Sequence, residues 1–464
     1  MVKNHEKHRN RPKTVNVWTI GGRFRGRAHH DFTTSKTGLS PAATPLTDIL
    51  EKDNAAILDE SAVAGRGLFR EKDGSDLKTA PVTDLPTIVF LQKSAGRGGA
   101  KSRLLDTLGA LQHGAACRLL VVCSEEGEFT RHCSDIGVPV LFHRLPEWRK
   151  LKGRLTFGSA MRSLAARLAT EDVRWLVSNE MWWAPHAAAV ASRIGARSAA
   201  ILRDGIADAV KGRKYRLHRC DLILPLSRQI ERGLDKDPGL KSRAHLFHDG
   251  LILPPPRPES DALLDAAMRQ VNPQVRRWLL VIGRVQPRKR QEDAVRTLKA
   301  LMDLGHADLG LLVAGDCDAD YEPVMRSAMQ ECGVADRVVM LGNFTDIRSL
   351  FARADACLLT SLREALPGSV IESFLSGKPC FMYPCEGAED IFGPHQEQFV
   401  SNAFEPRMLA EKMDRLLKKP EVLAAETRAL QARAQSLFSI EAHLQSLSDL
   451  LGVGLKTPTS TKTP

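Results

Sequence analysis

Short apolar runs alternate with amphipathic stretches along most of the chain. From residue 86 onward the apolar runs have the length of strands, and helix-length stretches such as 101–111 and 158–168 separate most of them. Because continuously apolar strands are buried on both faces, this pattern predicts parallel sheets covered by helices. The predicted strands are residues 87–91, 117–123, 139–142, 173–177, 198–202 and 221–225, followed by 279–282, 311–314, 338–341, 356–359 and 379–383.

A proline-rich segment, residues 253–258, interrupts the alternation, which then restarts. Because a chain of 464 residues exceeds the size of a single core, two domains are expected. The pattern predicts an α/β protein in which two Rossmann-like domains with parallel sheets face each other across a cleft. The predicted parts are a tail at 1–84, an amino-terminal domain at 85–252, a linker at 253–275, a carboxy-terminal domain with terminal helices at 276–452, and a tail at 453–464.

The formal net charge of +11 is concentrated near the start of the chain. Residues 1–36 contain nine Lys and Arg but only two acidic residues, without a core-forming pattern. This composition predicts a disordered tail that is dispensable for folding and adds affinity for an anionic membrane. Aromatic residues make up only 5% and do not alternate with basic ones, so nucleic acid is not expected as a partner.

Other compositional features exclude several classes of protein. Nine cysteines occur without a CxxC pair, and the fourteen histidines show no metal-ligand spacing, so neither a metal nor another cofactor is expected. The first twelve residues are mostly polar, which is unlike a secretory signal, and no apolar run approaches ~20 residues. These features predict a cytoplasmic protein, with peripheral contact at the inner face of the membrane.

Two glutamates eight residues apart, Glu364 and Glu372, mark the first candidate site. Glu364 follows an apolar strand at the sheet edge where α/β folds bind ligands, and the loop 366–369 leads into a helix that carries Glu372. Carboxylates accept hydroxyl hydrogen bonds, so Glu372 suits a ribose diol and Glu364 a hexose hydroxyl. The two glutamates could thus bind the two ends of a nucleotide sugar, and the backbone N–H groups of Gly368 and Ser369 could meet its diphosphate. Leu366 and Pro367 belong to the same predicted site. Two surface glutamates beside a helix start are the plainer interpretation.

A second candidate lies just after the strand 279–282. Gly283 allows close backbone approach, and Arg284 and Lys289 are five residues apart on the same sheet edge. An Arg fork and a Lys charge suit a diphosphate, both bound and leaving. The plainer interpretation is a solvated basic loop, because Arg288 and Arg290 lie alongside.

Together these residues resemble a known family, the retaining glycosyltransferases of family 4, which have the GT-B fold. The resemblance implies that Arg284 and Lys289 contact the donor diphosphate, that Glu364 contacts the donor sugar and that Glu372 contacts the ribose. Arg284, Lys289 and Glu364 are therefore the expected catalytic residues. The resemblance rests on motifs that occur in the family's order: strand-GR-x4-K, VAGD at 313–316, RVVMLGNF at 337–344, AD at 354–355, E-x7-E and GKP at 377–379.

The acceptor side is expected in the amino-terminal domain, where the sequence departs from the family. Lys101 stands where the family has an acid or Gln, Arg203 where it often has His, Asp249 where it has Asn, and Glu386 where it has Gly. The acceptor-side candidates are Gly98, Gly99, Asn179, Arg203 and Asp204. The segment 94–102 also approaches a nucleotide-binding P-loop, but Ala95 and Ala100 replace the two glycines that this motif needs.

The predicted activity is transfer of a sugar, with retention of configuration, from a nucleotide-diphosphate sugar to a saccharide or lipid-linked glycan of cell-surface polysaccharide assembly. Two alternatives stay open. One is a nucleotide-sugar epimerase of the same fold, which would need acid/base carboxylates and His in the cleft. The other is a binding or scaffold protein that kept the fold and lost the transfer reaction.

Overall fold

The structure, a computed structural model, describes residues 85–96, 98–204 and 208–455. The tail predicted at 1–84 lies outside the described residues. The strands predicted from the sequence are present with shifts of at most two residues at their ends, because continuous apolar runs of strand length become buried strands.

The amino-terminal domain contains a six-stranded parallel sheet in the order β3-β2-β1-β4-β5-β6. β1 is central, with Ile88 opposite Leu119 of β2 on one side and Trp175 of β4 on the other. Apolar side chains cover both faces of this sheet. Its strands are β1 Thr87–Gln92, β2 Arg118–Cys123, β3 Val140–Phe142, β4 Val173–Ser178, β5 Arg197–Leu202 and β6 Leu222–Pro225.

Helices connect consecutive strands, as parallel neighbours require. The helices of this domain are α1 Gly99–Gly114, α2 Glu128–Asp135, α3 Leu151–Leu168, α4 Ala184–Ile194, α5 Ala209–Lys214, α6 Arg228–Leu234 and α7 Pro238–Lys241.

The carboxy-terminal domain repeats the plan with five parallel strands in the order β11-β10-β7-β8-β9. One large core holds this sheet and its helices together. The strands are β7 Arg277–Ile282, β8 Leu309–Ala314, β9 Val338–Gly342, β10 Ala356–Leu359 and β11 Cys380–Met382. The helices are α8 Pro258–Met268, α9 Gln291–Asp303, α10 Glu322–Glu331, α11 Ile347–Arg353, α12 Gly368–Leu375, α13 Ala388–Phe392, α14 Gln396–Phe399, α15 Pro406–Leu417, α16 Pro420–Phe438 and α17 Ile440–Leu451.

The last helix, α17, and the residues after it pack against the amino-terminal domain. This packing differs from the predicted domain boundaries. Leu447 and Leu451 of α17 pack into the core beside β1 and β2. The indole Nε1 of Trp175 donates a hydrogen bond to the Leu451 carbonyl at 2.8 Å, and Leu455 pairs with Ala115. The sequence placed α17 with the carboxy-terminal domain and residues 453–455 in a tail, because a helical pattern does not identify its packing partner.

The predicted linker also differs from the structure. Residues 258–268 form α8, and its buried Leu264 and Ala267 join the core of the carboxy-terminal domain. Pro258 opens this helix, where its fixed φ and missing N–H cost nothing. The irregular connection is therefore shorter than the predicted 253–275.

Candidate functional site

The loop that follows β7 is held in place by close backbone packing. Gly283 has φ +138°, a conformation that side chains rarely adopt. A Cβ at Gly315, which follows β8, would lie 2.1 Å from the Gly283 carbonyl oxygen. Only glycine fits at that approach, so the VAGD segment supports the loop that carries Arg284 and Lys289.

Gln291, the first residue of α9, attaches the same loop to the helix. Its Nε2 donates to the Arg284 carbonyl at 3.0 Å, and its Oε1 accepts from the Gln286 N–H at 3.3 Å. The side chain is 1% exposed. A buried amide at the end of the loop that bonds two residues near its start fixes the conformation of the loop. The sequence analysis missed this residue, because nothing local distinguishes it from a surface glutamine.

Lys289, Arg288 and Glu364 form one cluster at the carboxyl edge of the five-stranded sheet. Lys289 Nζ lies 2.6 Å from Glu364 Oε1, and Arg288 Nη1 lies 3.1 Å from the same oxygen. The Glu364 side chain is only 13% exposed. Burial would raise the pKa of Glu364, but the charges of Lys289 and Arg288 outweigh burial and hold that pKa below its usual range. Glu364 is therefore an ionised hydrogen-bond acceptor at neutral pH.

Arg284 does not join this cluster. Its Nε lies 2.5 Å from Asp318 Oδ1, and its side chain is 66% exposed. The sequence predicted two cations on the ligand-facing edge, and the structure gives them different partners. An exposed ion pair of this kind contributes little to stability, so Arg284 can exchange Asp318 for another anion at small cost.

The loop between β10 and α12 reaches both domains. Leu366 packs against the cores of both, and Ala365 is buried in an apolar cluster of the amino-terminal domain. Pro367 precedes Gly368, the first residue of α12. The N–H groups of the first helical residues, including Gly368 and Ser369, have no acceptor within the helix and are directed outward from its end.

Glu372 on α12 contacts the amino-terminal domain. Arg103 of α1 donates from Nη2 to Glu372 Oε1 at 3.1 Å, and its Nη1 lies 3.1 Å from Asp106. All three side chains are mostly buried. Burial raises the pKa of Asp106 to about 6; Arg103 opposes the rise and Glu372 adds to it. The predicted ribose ligand is therefore part of an interdomain ionic cluster.

The acceptor-side candidates Asn179 and Arg203 are brought together with Asp249. Arg203 donates from Nε to Asn179 Oδ1 at 2.8 Å and from Nη1 to Asp249. Asn179 Nδ2 in turn donates to Gln92 Oε1 at 2.7 Å. The Arg203 and Asp249 side chains are 6% and 7% exposed. The two departures from the family pattern thus compensate each other as one buried ion pair, while Asp204 follows Arg203 in the chain and is half-buried.

Gly98 and Gly99 form the start of α1. Gly98 has φ +155°, near the extended region, and its carbonyl accepts from the N–H groups of Lys101 and Ser102 at 3.0 and 3.1 Å. A Cβ at Gly98 would approach the Lys101 ammonium at 3.5 Å, whereas Gly99 faces open space. The start of α1 is therefore exposed at both glycines.

Comparison with solved structures places this arrangement among known folds. Anabaena HepE in complex with UDP and glucose superposes with a TM-score of 0.65 at 18% identity, covering 79% of this chain and 99% of that one. A glycosyltransferase from Rickettsia africae gives 0.65 at 14% identity, covering 80% and 98%. The lipopolysaccharide glycosyltransferase WaaG gives 0.54 at 15% identity, covering 79% and 100%.

The fold is GT-B. Residues 267–434, in the carboxy-terminal half of the GT-B unit, match the family model described as glycosyl transferases group 1. That segment contains the Lys289–Glu364 cluster and Glu372. The predicted fold is confirmed.

Two curated proteins are similar over a shorter stretch. A 2-deoxystreptamine glucosyltransferase from Streptomyces kanamyceticus is 31% identical over 150 residues, which are 32% of this chain and 38% of that protein. A 2-deoxystreptamine N-acetyl-D-glucosaminyltransferase from Streptomyces fradiae is 28% identical over 146 residues, or 31% and 34%. The match thus spans a little over a third of each curated relative.

Further polar contacts join the two halves of the GT-B fold. Asp390 of α13 is 1% exposed and accepts from the Arg228 N–H at 3.1 Å and from His248 Nε2 at 3.0 Å. His443 of α17 contacts the His248 carbonyl through Nδ1 at 2.8 Å and the Thr107 hydroxyl through Nε2 at 2.9 Å. Burial lowers the pKa of His443, so the neutral ring donates to the carbonyl and accepts from the hydroxyl.

The described part of the chain contains neither a cluster of metal ligands nor a membrane-spanning helix. No group of three or more His, Cys, Asp and Glu within those residues has the arrangement of a metal site. None of the helices described there combines the length and the apolar character that crossing a bilayer requires.

Proposed function

We propose that this protein is a glycosyltransferase that takes a sugar from a nucleotide-diphosphate sugar and transfers it with retention of configuration. The observation that carries the proposal is the cluster of Lys289, Arg288 and Glu364 at the carboxyl edge of the five-stranded sheet. It lies within the residues that match the glycosyl transferases group 1 model. The named activities of the curated relatives, and UDP and glucose bound in HepE, support a nucleotide-sugar donor.

Lys289 and Arg284 would bind the donor diphosphate. Lys289 is fixed by Glu364, whereas Arg284 is exposed and pairs with Asp318, so its guanidinium can turn towards a phosphate at small cost. The outward N–H groups of Gly368 and Ser369 add backbone donors for the same group. As the bond to the sugar breaks, negative charge grows on the diphosphate, and fixed cations stabilise that charge.

Glu364 would accept a hydrogen bond from the donor sugar and Glu372 from the ribose. The ionised state of Glu364 suits the first role, because a charged acceptor forms the stronger hydrogen bonds. Glu372 is paired with Arg103, so a ribose diol would share or displace that contact. We infer that donor binding and the Arg103–Glu372 contact between the domains are coupled.

The acceptor would lie against the amino-terminal domain, near Asn179, Arg203 and Asp249. Arg203 Nη2 and Asp249 Oδ1 are buried and make no hydrogen bond within the described residues. A hydroxyl group can accept from the first and donate to the second. This pair therefore favours a hydroxylated acceptor, such as a saccharide or a lipid-linked glycan of cell-surface polysaccharide assembly.

Retention would proceed by attack on the face from which the diphosphate leaves. The bond between the anomeric carbon and the diphosphate oxygen breaks, the acceptor oxygen bonds to that carbon, and the acceptor proton passes to the leaving phosphate. Glu364 is bonded to two cations and is therefore a poor nucleophile. This argues against a double displacement through that carboxylate.

The test measures nucleotide release and product formation from UDP- and GDP-sugars with a panel of saccharide acceptors. Removing both cations, Arg284→Ala with Lys289→Ala, should lower turnover by at least about 10²–10³-fold, the usual effect of losing one preorganised donor at a developing charge. Arg407→Ala with Lys418→Ala is the matched control, because both cations are exposed and each pairs with an acid of α15 four residues away. Circular dichroism should show both double variants folded.

Three results would contradict the proposal. If the cation variant kept more than about a tenth of the wild-type turnover, Arg284 and Lys289 would not stabilise the leaving diphosphate as proposed. Interconversion of two nucleotide sugars without an acceptor would indicate an epimerase. Donor binding without turnover across the whole panel would indicate a binding or scaffold protein.

A further inference from the structure

Two basic segments of the amino-terminal domain form one exposed face, which we call the basic face: residues 149–155 and 210–219. The first contains four Lys and Arg among seven residues and the second contains five among ten, and neither contains an acidic residue. Ring contacts join them. The Arg216 guanidinium lies 4.1 Å from the Trp148 ring centroid, and that of Arg149 lies 5.8 Å from the Tyr215 ring.

The cations of the basic face repel one another more than acids compensate them. Within the described part of the chain no carboxylate lies at ion-pair distance from Arg154, Arg216 or Arg219, although Lys150 pairs with Glu147 and Arg213 with Asp237. Burial, together with the charges of Arg219 and Arg154, lowers the pKa of Arg216. Arg216 also adopts φ +56°, which a non-glycine residue rarely does. Such crowding indicates a surface adapted to an anionic partner.

Exposed apolar side chains lie within the same two segments. Leu151 and Leu155, one turn apart on α3, are 75% and 78% exposed, and Val210 on α5 is 76% exposed. These three are the most exposed large apolar side chains of the described residues. Nucleic acid and acidic proteins attract cations but do not require projecting leucines. Leucines surrounded by Lys and Arg are instead typical of helices that lie in the interface of an anionic bilayer.

We propose that the basic face docks on an anionic phospholipid bilayer, with Leu151, Leu155 and Val210 inserted between headgroups and the surrounding cations contacting lipid phosphates. A cavity of about 410 Å³ beside it, lined by Phe157, Arg193, Arg216 and Arg219 among others, provides room for one headgroup. The inference does not depend on the proposed transfer activity.

Docking in this way would position the acceptor side of the cleft beside the membrane. α5 begins at Ala209, seven residues after the end of β5 at Leu202, and α3 begins at Leu151. Both helix starts lie towards the carboxyl ends of the parallel strands, where Asn179 and Arg203 also lie. A lipid-linked acceptor held in the bilayer would therefore meet the amino-terminal domain from this side.

The test uses the full-length chain, with its basic residues 1–36 retained, in co-sedimentation with vesicles of phosphatidylcholine alone or mixed with 30% phosphatidylglycerol. The mixed vesicles should retain the protein and the neutral ones should not. Leu151→Ser with Leu155→Ser should weaken binding to the mixed vesicles by at least tenfold, and Lys152→Glu with Arg154→Glu should do the same. Leu263→Ser with Val422→Ser is the control, because those side chains are 38% and 43% exposed on other helices and should not matter.

Two outcomes would overturn the proposal. Unchanged binding of the leucine variant would assign any membrane affinity to the amino-terminal tail or to charge alone. Failure of the wild type to bind the mixed vesicles, with retention on heparin, would favour a polyanion other than a bilayer. Because the leucines are exposed, both serine variants should keep the wild-type melting temperature, so that a loss of binding is not a loss of fold.

Discussion

The interdomain cluster around Asp106 should make stability depend on pH in a way that one substitution removes. Burial raises the pKa of Asp106 from 3.8 to about 6 in the folded protein. Between those values the folded state binds a proton that the unfolded state has lost. Stability therefore falls as pH rises through this window and is constant above it.

The size of the effect follows from the two pKa values. A rise from 3.8 to about 6 corresponds to about 3 kcal/mol in the free energy of unfolding. About two thirds of it, ~2 kcal/mol, develops between pH 4.5 and pH 7.5, because the unfolded carboxyl is already mostly ionised at the lower pH. In a domain of this size, that difference corresponds to roughly 4–8 °C in melting temperature.

Asp106→Asn removes the titrating group and keeps its shape. The melting temperature of the variant minus that of the wild type should therefore increase by several degrees from pH 4.5 to pH 7.5. Taking this difference cancels the titration of the groups that do not interact with Asp106. The control is Asp303→Asn on α9, a half-exposed carboxylate that pairs with Lys299. A difference between wild type and Asp106→Asn that stays constant with pH would refute the raised pKa of Asp106.

Three further predictions concern the site and its supports. Glu372→Gln should weaken donor binding about tenfold while Glu364→Gln mainly slows transfer, measured by titration calorimetry and single-turnover kinetics, and equal small effects of both changes would contradict the roles. Arg103→Met breaks the same ion pair but keeps the Glu372 carboxylate, so it should not weaken donor binding. Gly315→Ala places a Cβ 2.1 Å from the Gly283 oxygen and should cost more than about 2 kcal/mol in chemical unfolding, whereas Gly109→Ala, which meets nothing within 4 Å, should not. His443 is neutral and buried, with a lowered pKa, so its contribution is present above pH ~6.5 and is lost as pH falls below it. The stability advantage of wild type over His443→Gln should shrink between pH 7.5 and pH 5.5, and a constant advantage would exclude a neutral buried ring.

The sequence by itself determined the strands, their parallel arrangement and the division into two domains. These properties depend on local patterns: an apolar run such as residues 311–314 can be satisfied only by burial on both faces. The sequence also placed Arg284, Lys289 and Glu364 after the ends of strands, because the carboxyl edge of a parallel sheet follows from chain direction alone. Their roles towards a donor stay predictions.

Only the tertiary structure decided which of these side chains meet. The contacts of Arg103 with Glu372 and of Trp175 with Leu451 join residues 269 and 276 positions apart. Arg203 and Asp249 each looked like a departure from the family pattern, yet they form one buried pair. Such contacts depend on how the two domains pack against each other, which the hydrophobic pattern of each domain does not specify. They also depend on burial, which strengthens the interaction between charged side chains. No local periodicity encodes that placement, because a helix presents the same pattern whichever domain it packs against.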